Sequence, residues 1–332
     1  MYFCAKLDTV MKKTMIFLAA VLISTLSYGQ QKRLAVVELS SVYMRISPDY
    51  ESALETQELM GTVVEIVGEK GYWREIISPQ PYKAWCTEKG ITEISEADFK
   101  NYNAAPKCIF NELYGHVYES PSWKSPTICD LVGGDMMRYA GWSASDRFKP
   151  VRKGTWTQIM LPSGKTGWVQ SSALKIHDGF TTIAKGEGNA ESISDELMEK
   201  IIAEAFRLKG VPYLWGGMTP KGVDCSGLVR WSHLMNGILL PRNASQMIFC
   251  GDEIALTGEY GSYGTENLHR GDLVFFGTPA TSEKPQRVTH VGIYIGDGRI
   301  IHSSHMVRVN SLNPAEPDYY ENAHRLIAAR RL

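Results

Sequence analysis

Residues 223–231 read Val-Asp-Cys-Ser-Gly-Leu-Val-Arg-Trp, a cysteine set between two small polar residues where an apolar stripe begins. Asp224 and Ser226 are residue types that cap helix N-termini, and Leu228, Val229 and Trp231 supply a buried face behind them. Cys225 is therefore predicted at a helix start. Unpaired N–H groups gather partial positive charge there and favour a thiolate. A free cysteine is otherwise usually a small buried hydrophobe, so a catalytic reading needs a base.

Upstream, residues 194–210 (SDELMEKIIAEAFRLKG) predict a helix: Leu197, Ile201, Ala205 and Leu208 recur at helical spacing, acids fill the first turn and Gly210 ends it. Downstream of Arg270 the pattern changes to strands, at 272–276 (DLVFF), 290–296 (HVGIYIG), 299–304 (RIIHSS) and 324–329 (HRLIAA). Gly-Asp-Gly at 296–298 predicts a hairpin turn. Helices followed by antiparallel strands make an α+β domain.

That hairpin supplies candidate bases. His290 opens one strand and His302 lies in the next. A two-residue turn at Asp297-Gly298 sets Ile293 opposite His302 and His305 opposite His290. The even separation of His290 and His302 is expected to allow both on one face, meeting diagonally. His305 competes by register, and spacing leaves both open. A zinc pair of His302 and His305 lacks a third ligand of the usual kind nearby.

The first half of the chain repeats. SVYMRISPDYES (41–52) aligns with YGHVYESPSWKS (114–125) at an offset of 73, and Gly61 and Gly134 keep it. Later, GYWREI (71–76) matches GTWTQI (154–159), and YKAWC (82–86) matches KTGWV (165–169), at an offset of 83. The second copy thus carries about ten extra residues, expected near Ala140–Lys153. Short β-rich runs between Gly, Pro and Ser predict two small barrels, with Trp73, Trp156 and Trp168 as core residues. Residues 178–193 are small and polar and read as a linker or embracing strap.

The 332 residues are 44% hydrophobic, which allows two or three domains, and the net charge of −1 argues against a nucleic-acid-binding face. Met11-Lys12-Lys13, an apolar run from Met15 to Ile23 and Ser27-Tyr28-Gly29 form a secretory signal pattern, cut before Gln30. The rest has no apolar run long enough to span a bilayer, so an exported, periplasmic or extracellular protein without a transmembrane segment is expected. Once Cys4 has left with the leader, Cys86, Cys108, Cys129, Cys225 and Cys250 remain. An odd number implies a free thiol if the others pair, and Cys108 with Cys129 is a candidate disulfide.

Six separated motifs, YLWGG (213–217), DCSGLV (224–229), LPRNASQ (240–246), RGDLVFF (270–276), HVGIYIGDG (290–298) and IIH (300–302), resemble in order and spacing the NlpC/P60 cysteine peptidases. The front modules resemble bacterial SH3 domains. Together these resemblances imply an α+β, papain-like catalytic domain over 194–332, preceded by two small SH3-like β-barrels at 30–100 and 101–177, a leader at 1–29 and a linker at 178–193. With this architecture the chain resembles γ-D-glutamyl-L-diamino-acid endopeptidases, whose partners are peptidoglycan-derived peptides. The resemblance makes Cys225 the nucleophile, His290 the base, His302 rather than His305 the orienting group, and Tyr213 an oxyanion donor. It makes Asp224, Ser226 and Ser245 contacts of the acyl-side peptide. An acid and a tyrosine of the first module would bind a free L-Ala amine. Tyr82 fits the tyrosine, but Ala53 stands where the acid is expected, leaving Glu51 or Glu55. A helix start and an imidazolium together bring a cysteine pKa to roughly 3.5–7.5. No cofactor is required, and a monomer is expected. An N-acetylmuramoyl-L-alanine amidase and a non-catalytic wall-binding protein are the alternatives.

Overall fold

The computed structural model describes residues 32–79, 82–142, 150–177, 180–183, 193–262 and 264–332. The leader expected at 1–29 lies outside the described residues. The first sheet contains β1 (Arg33–Val37), β2 (Ser41–Arg45), β3 (Leu54–Leu59), β4 (Val63–Lys70), β5 (Trp73–Ser78), β6 (Tyr82–Thr87) and β7 (Ile91–Ile94). Their hydrogen-bonded order is β3-β2-β6-β5-β4-β1-β7. After helix α1 (Glu96–Ala104), capped by Ser95, come β8 (Lys107–Phe110), β9 (Tyr114–Tyr118), β10 (Thr127–Val132), β11 (Met136–Tyr139), β12 (Arg152–Lys153), β13 (Trp156–Met160), β14 (Thr166–Gln170) and β15 (Leu174–His177). Their order is β10-β9-β14-β13-β11-β8-β15, with β12 added beside β13. Strand for strand the two orders are the same, so the sequence repeat is a repeat of topology. The added β12 falls where the second copy was expected to be longer; residues 143–149 of that stretch lie outside the described residues.

Each SH3-like module closes over its own core: Val42, Met44 and Ile76 in the first, Val117, Leu131 and Ile159 in the second. Trp73 and Trp156 are buried as expected, and Trp168 is half-buried. Cys108 and Cys129 are both free, so the candidate disulfide is not formed. The sheet order explains why: four strands separate β8 from β10.

Thr181–Thr182 (β16) runs parallel to Ile238–Leu239, and Ile183 is fully buried, so the described part of the strap is clasped against the C-terminal domain. In that domain follow α2 (Asp195–Arg207), β17 (Met218–Thr219), β18 (Gly222–Val223), α3 (Cys225–Leu234), β19 (Ile238–Leu239) and α4 (Ala244–Met247). Then come β20 (Asp252–Ile254), β21 (Leu273–Thr278), β22 (Arg287–Gly296), β23 (Arg299–Ser304), β24 (Met306–Ser311) and β25 (Leu326–Arg331), ordered β20-β25-β21-β22-β23-β24. The expected helix at 194–210 is α2: Ser194 caps it, and Gly210 takes φ +90° beyond its end. Every residue of α3 is buried, because its faces meet α2, β22, β23 and the front modules. Trp231 Nε1 donates to the Gly133 carbonyl of the second module at 2.6 Å.

The sharpest correction concerns the hairpin. Asp297 and Gly298 both take positive φ, as a two-residue turn of this type requires. Pairing begins at Gly296↔Arg299, then a bulge intervenes, giving Tyr294↔Ile300 and Ile293↔Ile301. The regular register expected from spacing sets His302 opposite Ile293, on the face away from His290. Even separation does not bring residues of two paired strands to one face in that register, so the shared face expected above arises only through the bulge. The bulge shifts pairing by one residue and turns His302 to the face of Gly292 and His290, since alternate residues share a face.

Candidate active site

The start of α3 is built by Asp224. Its carboxylate accepts the Gly227 N–H at 2.6 Å and the Gly216 N–H at 2.9 Å, fixing the first turn and the loop facing it. Arg242, 1% exposed, grips both oxygens, Nη1 to Oδ1 at 3.0 Å and Nη2 to Oδ2 at 2.6 Å, and also donates to Ser226 Oγ at 2.9 Å. Asp224 and Ser226 line one cavity with Cys225, and their polar atoms are engaged in this network. Gly227 is required here: a Cβ would stand 2.2 Å from the Gly217 carbonyl.

Cys225 opens α3 and lines the pocket while remaining 8% exposed. The N–H groups of Val291 and Ser226 and the charge of Arg242 favour its thiolate, but burial and the neighbouring Asp224 carboxylate outweigh them and push the thiol up to about 12. The lowering expected from a helix start is therefore reversed. Cys225 rests as a thiol.

Around the histidines the geometry is close. His290 Nε2 lies 2.8 Å from His302 Nδ1, and His302 Nε2 lies 2.9 Å from Asn310 Oδ1. Tyr320 packs edge-on against His302 at 4.6 Å and, with Phe276, against His290. Burial in this aromatic setting pulls His290 down to about 3 and His302 to about 4, so both rings rest neutral at pH 7. His305 sits beyond β23 at φ +61°, exposed, with its carbonyl accepting the Tyr213 N–H at 2.8 Å. Both ring nitrogens of His302 are occupied, which removes the imagined zinc pair with His305.

Two cavities meet at Tyr213. The first, of about 390 Å³, is lined by Cys225, Ser226, Ser245, Trp215 and Arg287, and from the first module by Glu55 and Tyr82. Tyr82 donates to Glu55 Oε1 at 2.5 Å, and burial with this carboxylate pushes its hydroxyl up to about 12. Glu51 is exposed in the turn before β3, bonding to Asp49. Of the two acids left open by the sequence, Glu55 lines the pocket. The second cavity, of about 410 Å³, is lined by His290, Tyr320, His305, Ser304 and Arg325. Burial and the nearby Cys225 and Asp224 raise the Tyr213 pKa, so its O–H remains a donor.

Residues 210–327 match the NlpC/P60 family. This is an NlpC/P60 domain. A gamma-D-glutamyl-L-lysine dipeptidyl-peptidase of Bacillus cereus is 27% identical over 284 residues, 81% of this chain and 73% of its own. Dipeptidyl-peptidase 6 of Lysinibacillus sphaericus is 26% identical over 302 residues, 89% of this chain and 97% of its own. In fold, the chain is similar to a solved NlpC/P60 family protein from Bacillus cereus, with a TM-score of 0.67 at 21% identity, covering 90% of this chain and 99% of that one. Around the NlpC/P60 domain's cysteine, the sequence reading missed Tyr320 and Asn310, which belong to no motif quoted. Arg242 stood inside LPRNASQ, but its pairing with Asp224, 18 residues away, leaves no local signal in the sequence.

Proposed function

We propose that this protein is a cysteine peptidase that cleaves the γ-D-Glu–diamino acid bond of murein peptides bearing a free N-terminal L-Ala. The observation carrying this reading is that Glu55 and Tyr82 of the first module line the same cavity as Cys225. A carboxylate and a phenol lining a pocket suit an ammonium group, and an acylated amine would leave them unpaired, the kind of contrast that gives large selectivity. The names of the B. cereus and L. sphaericus relatives agree with release of a dipeptide. Exocytoplasmic action on cell-wall fragments, by a monomer exported on the leader at 1–29, fits this substrate. Among the described residues no helix is long and apolar enough to cross a membrane.

In this reading Cys225 Sγ attacks the γ-carbonyl as its proton passes to His290. The Tyr213 hydroxyl donates to the oxyanion, a contribution of about 3–4 kcal/mol for a strong donor. The C–N bond then breaks, and the imidazolium of His290 protonates the departing amine. Water, deprotonated by His290, cleaves the thioester and frees the thiol. His302 orients His290, and Ser245 and Ser226 border the acyl peptide. Because thiol and imidazole both rest neutral, proton transfer accompanies attack. Mass spectrometry of products from defined muropeptides tests the reading: L-Ala-γ-D-Glu-diamino-acid peptides are cut, and N-acetylated counterparts and intact murein are not. Cleavage of the muramoyl–L-Ala amide, which frees the whole peptide from the glycan, would instead point to an amidase.

A further inference from the structure

One backbone atom fixes the protons of the site. The Asp318 carbonyl can only accept, so the Asn310 atom 2.7 Å from it is the amide NH₂. The same carbonyl accepts the Ser311 N–H at 3.1 Å, which anchors the segment beside β24. Asn310 Oδ1 therefore faces His302 Nε2 as an acceptor, and that nitrogen carries hydrogen. In a neutral ring His302 Nδ1 is then a bare lone pair. It lies 2.8 Å from His290 Nε2, which must donate, and His290 Nδ1 is left unprotonated. That is the state a base requires.

We infer that Asn310 is a positioning residue: its amide, locked by the Asp318 carbonyl, sets the tautomer of His302 and through it makes Nδ1 of His290 the proton acceptor. The inference rests on the reading of His290 as the base toward Cys225. Asn310 is 6% exposed and follows the bulged hairpin by one strand, so the relay crosses β22, β23 and β24. A carboxylate in its place would accept the same hydrogen bond, yet act differently. The charged and titratable groups around His302 are Arg308 on β24, His290 on β22, and Tyr320 and Glu321 on the segment that covers them. A negative charge added at position 310 favours imidazolium at His302. Imidazolium donates from both nitrogens, so His290 Nε2 would have to accept, and its proton would move to Nδ1. The base would be lost wherever His302 is charged.

The test is the pH profile of kcat/KM on L-Ala-γ-D-Glu-diamino-acid peptide for the full chain. Asn310→Asp is expected to move the acid limb up by about one pH unit or more, with activity recovering above it. Asn310→Leu, which lacks the acceptor, is expected to lose about 10- to 100-fold in kcat across the profile, with KM little changed. Histidine ¹⁵N spectra of the wild-type chain should show hydrogen on Nε2 of both His302 and His290, a readout independent of any variant's folding. An unshifted acid limb in Asn310→Asp, kcat within threefold in Asn310→Leu, or hydrogen on Nδ1 of either wild-type histidine would overturn the inference. Retained activity in His290→Ala would instead overturn the reading on which it rests.

Discussion

At Cys225 a helix start and a buried carboxylate act in opposite directions, and burial decides between them. Alkylation by iodoacetamide should accordingly accelerate from pH 7 to pH 10 and not be saturated at neutrality. Cys225 should still react before the fully buried Cys86, Cys108 and Cys250, which line neither of the two cavities. Cys225→Ala should abolish hydrolysis in a folded protein; residual turnover would remove the nucleophile. His302→Ala should lower kcat by about 100-fold or more, because it acts through the base. His305→Ala should cost less than tenfold and mainly in KM, since His305 only borders the second cavity. His233 offers a separate test at the far end of α3. It is fully buried, its Nδ1 lies 2.7 Å from the Val229 carbonyl, and burial holds it down to about 4. A histidine whose folded pKa is depressed leaves the unfolded chain binding more protons at intermediate pH, so stability falls as pH drops below about 6.5. By pH 5 this one group should cost about 2 kcal/mol. His233→Leu should reduce that part of the acid sensitivity in urea denaturation at pH 7 and pH 5.

The α2 and α3 helices, the repeat and four C-terminal strands were legible because each carries its own period, cap or turn. The bulge near Ile295 was not, because nothing in an unbroken GIYIGDG run marks which residue drops out of the ladder. It nonetheless decides which face His302 occupies. The strand β3 was equally hidden. Its residues 54–59 (LETQEL) look like a solvated charged edge, and all six are at least half-buried. Thr56 accepts from Arg242 at 2.6 Å, Gln57 accepts the Met218 N–H at 2.9 Å, and Glu58 pairs with Arg230 of α3 at 3.2 Å. Partners more than 160 residues away leave no local periodicity. Breaking the Glu58–Arg230 pair by Arg230→Met alone should cost about 3–5 kcal/mol, since it strands a buried carboxylate. Adding Glu58→Leu should recover most of the loss. Urea midpoints of the single and double variants check both statements.

On the scale of the whole molecule, the two copies of one topology have different employments. The second braces α3 through Gly133, while the first reaches the cavity itself through Glu55 and Tyr82. The contact is tight at Gly216, whose φ is +74° and where a Cβ would lie 2.9 Å from the Glu55 carbonyl. Gly216→Ala should therefore lower the melting temperature and raise KM for free-amine peptides, as β3 is pushed off the domain. Thermal denaturation and steady-state kinetics measure the two effects, and an unchanged KM would separate the wall from recognition. In the proposed reading, a carboxylate and a thiol lining one pocket also work as a ruler. They measure two residues inward from a free end, whatever chain trails behind. Each molecule of peptide can be shortened once, because the fragment left behind begins with a different residue and lacks the γ-linkage at the measured position. The enzyme would therefore clip and let go, and its products should never include a ladder.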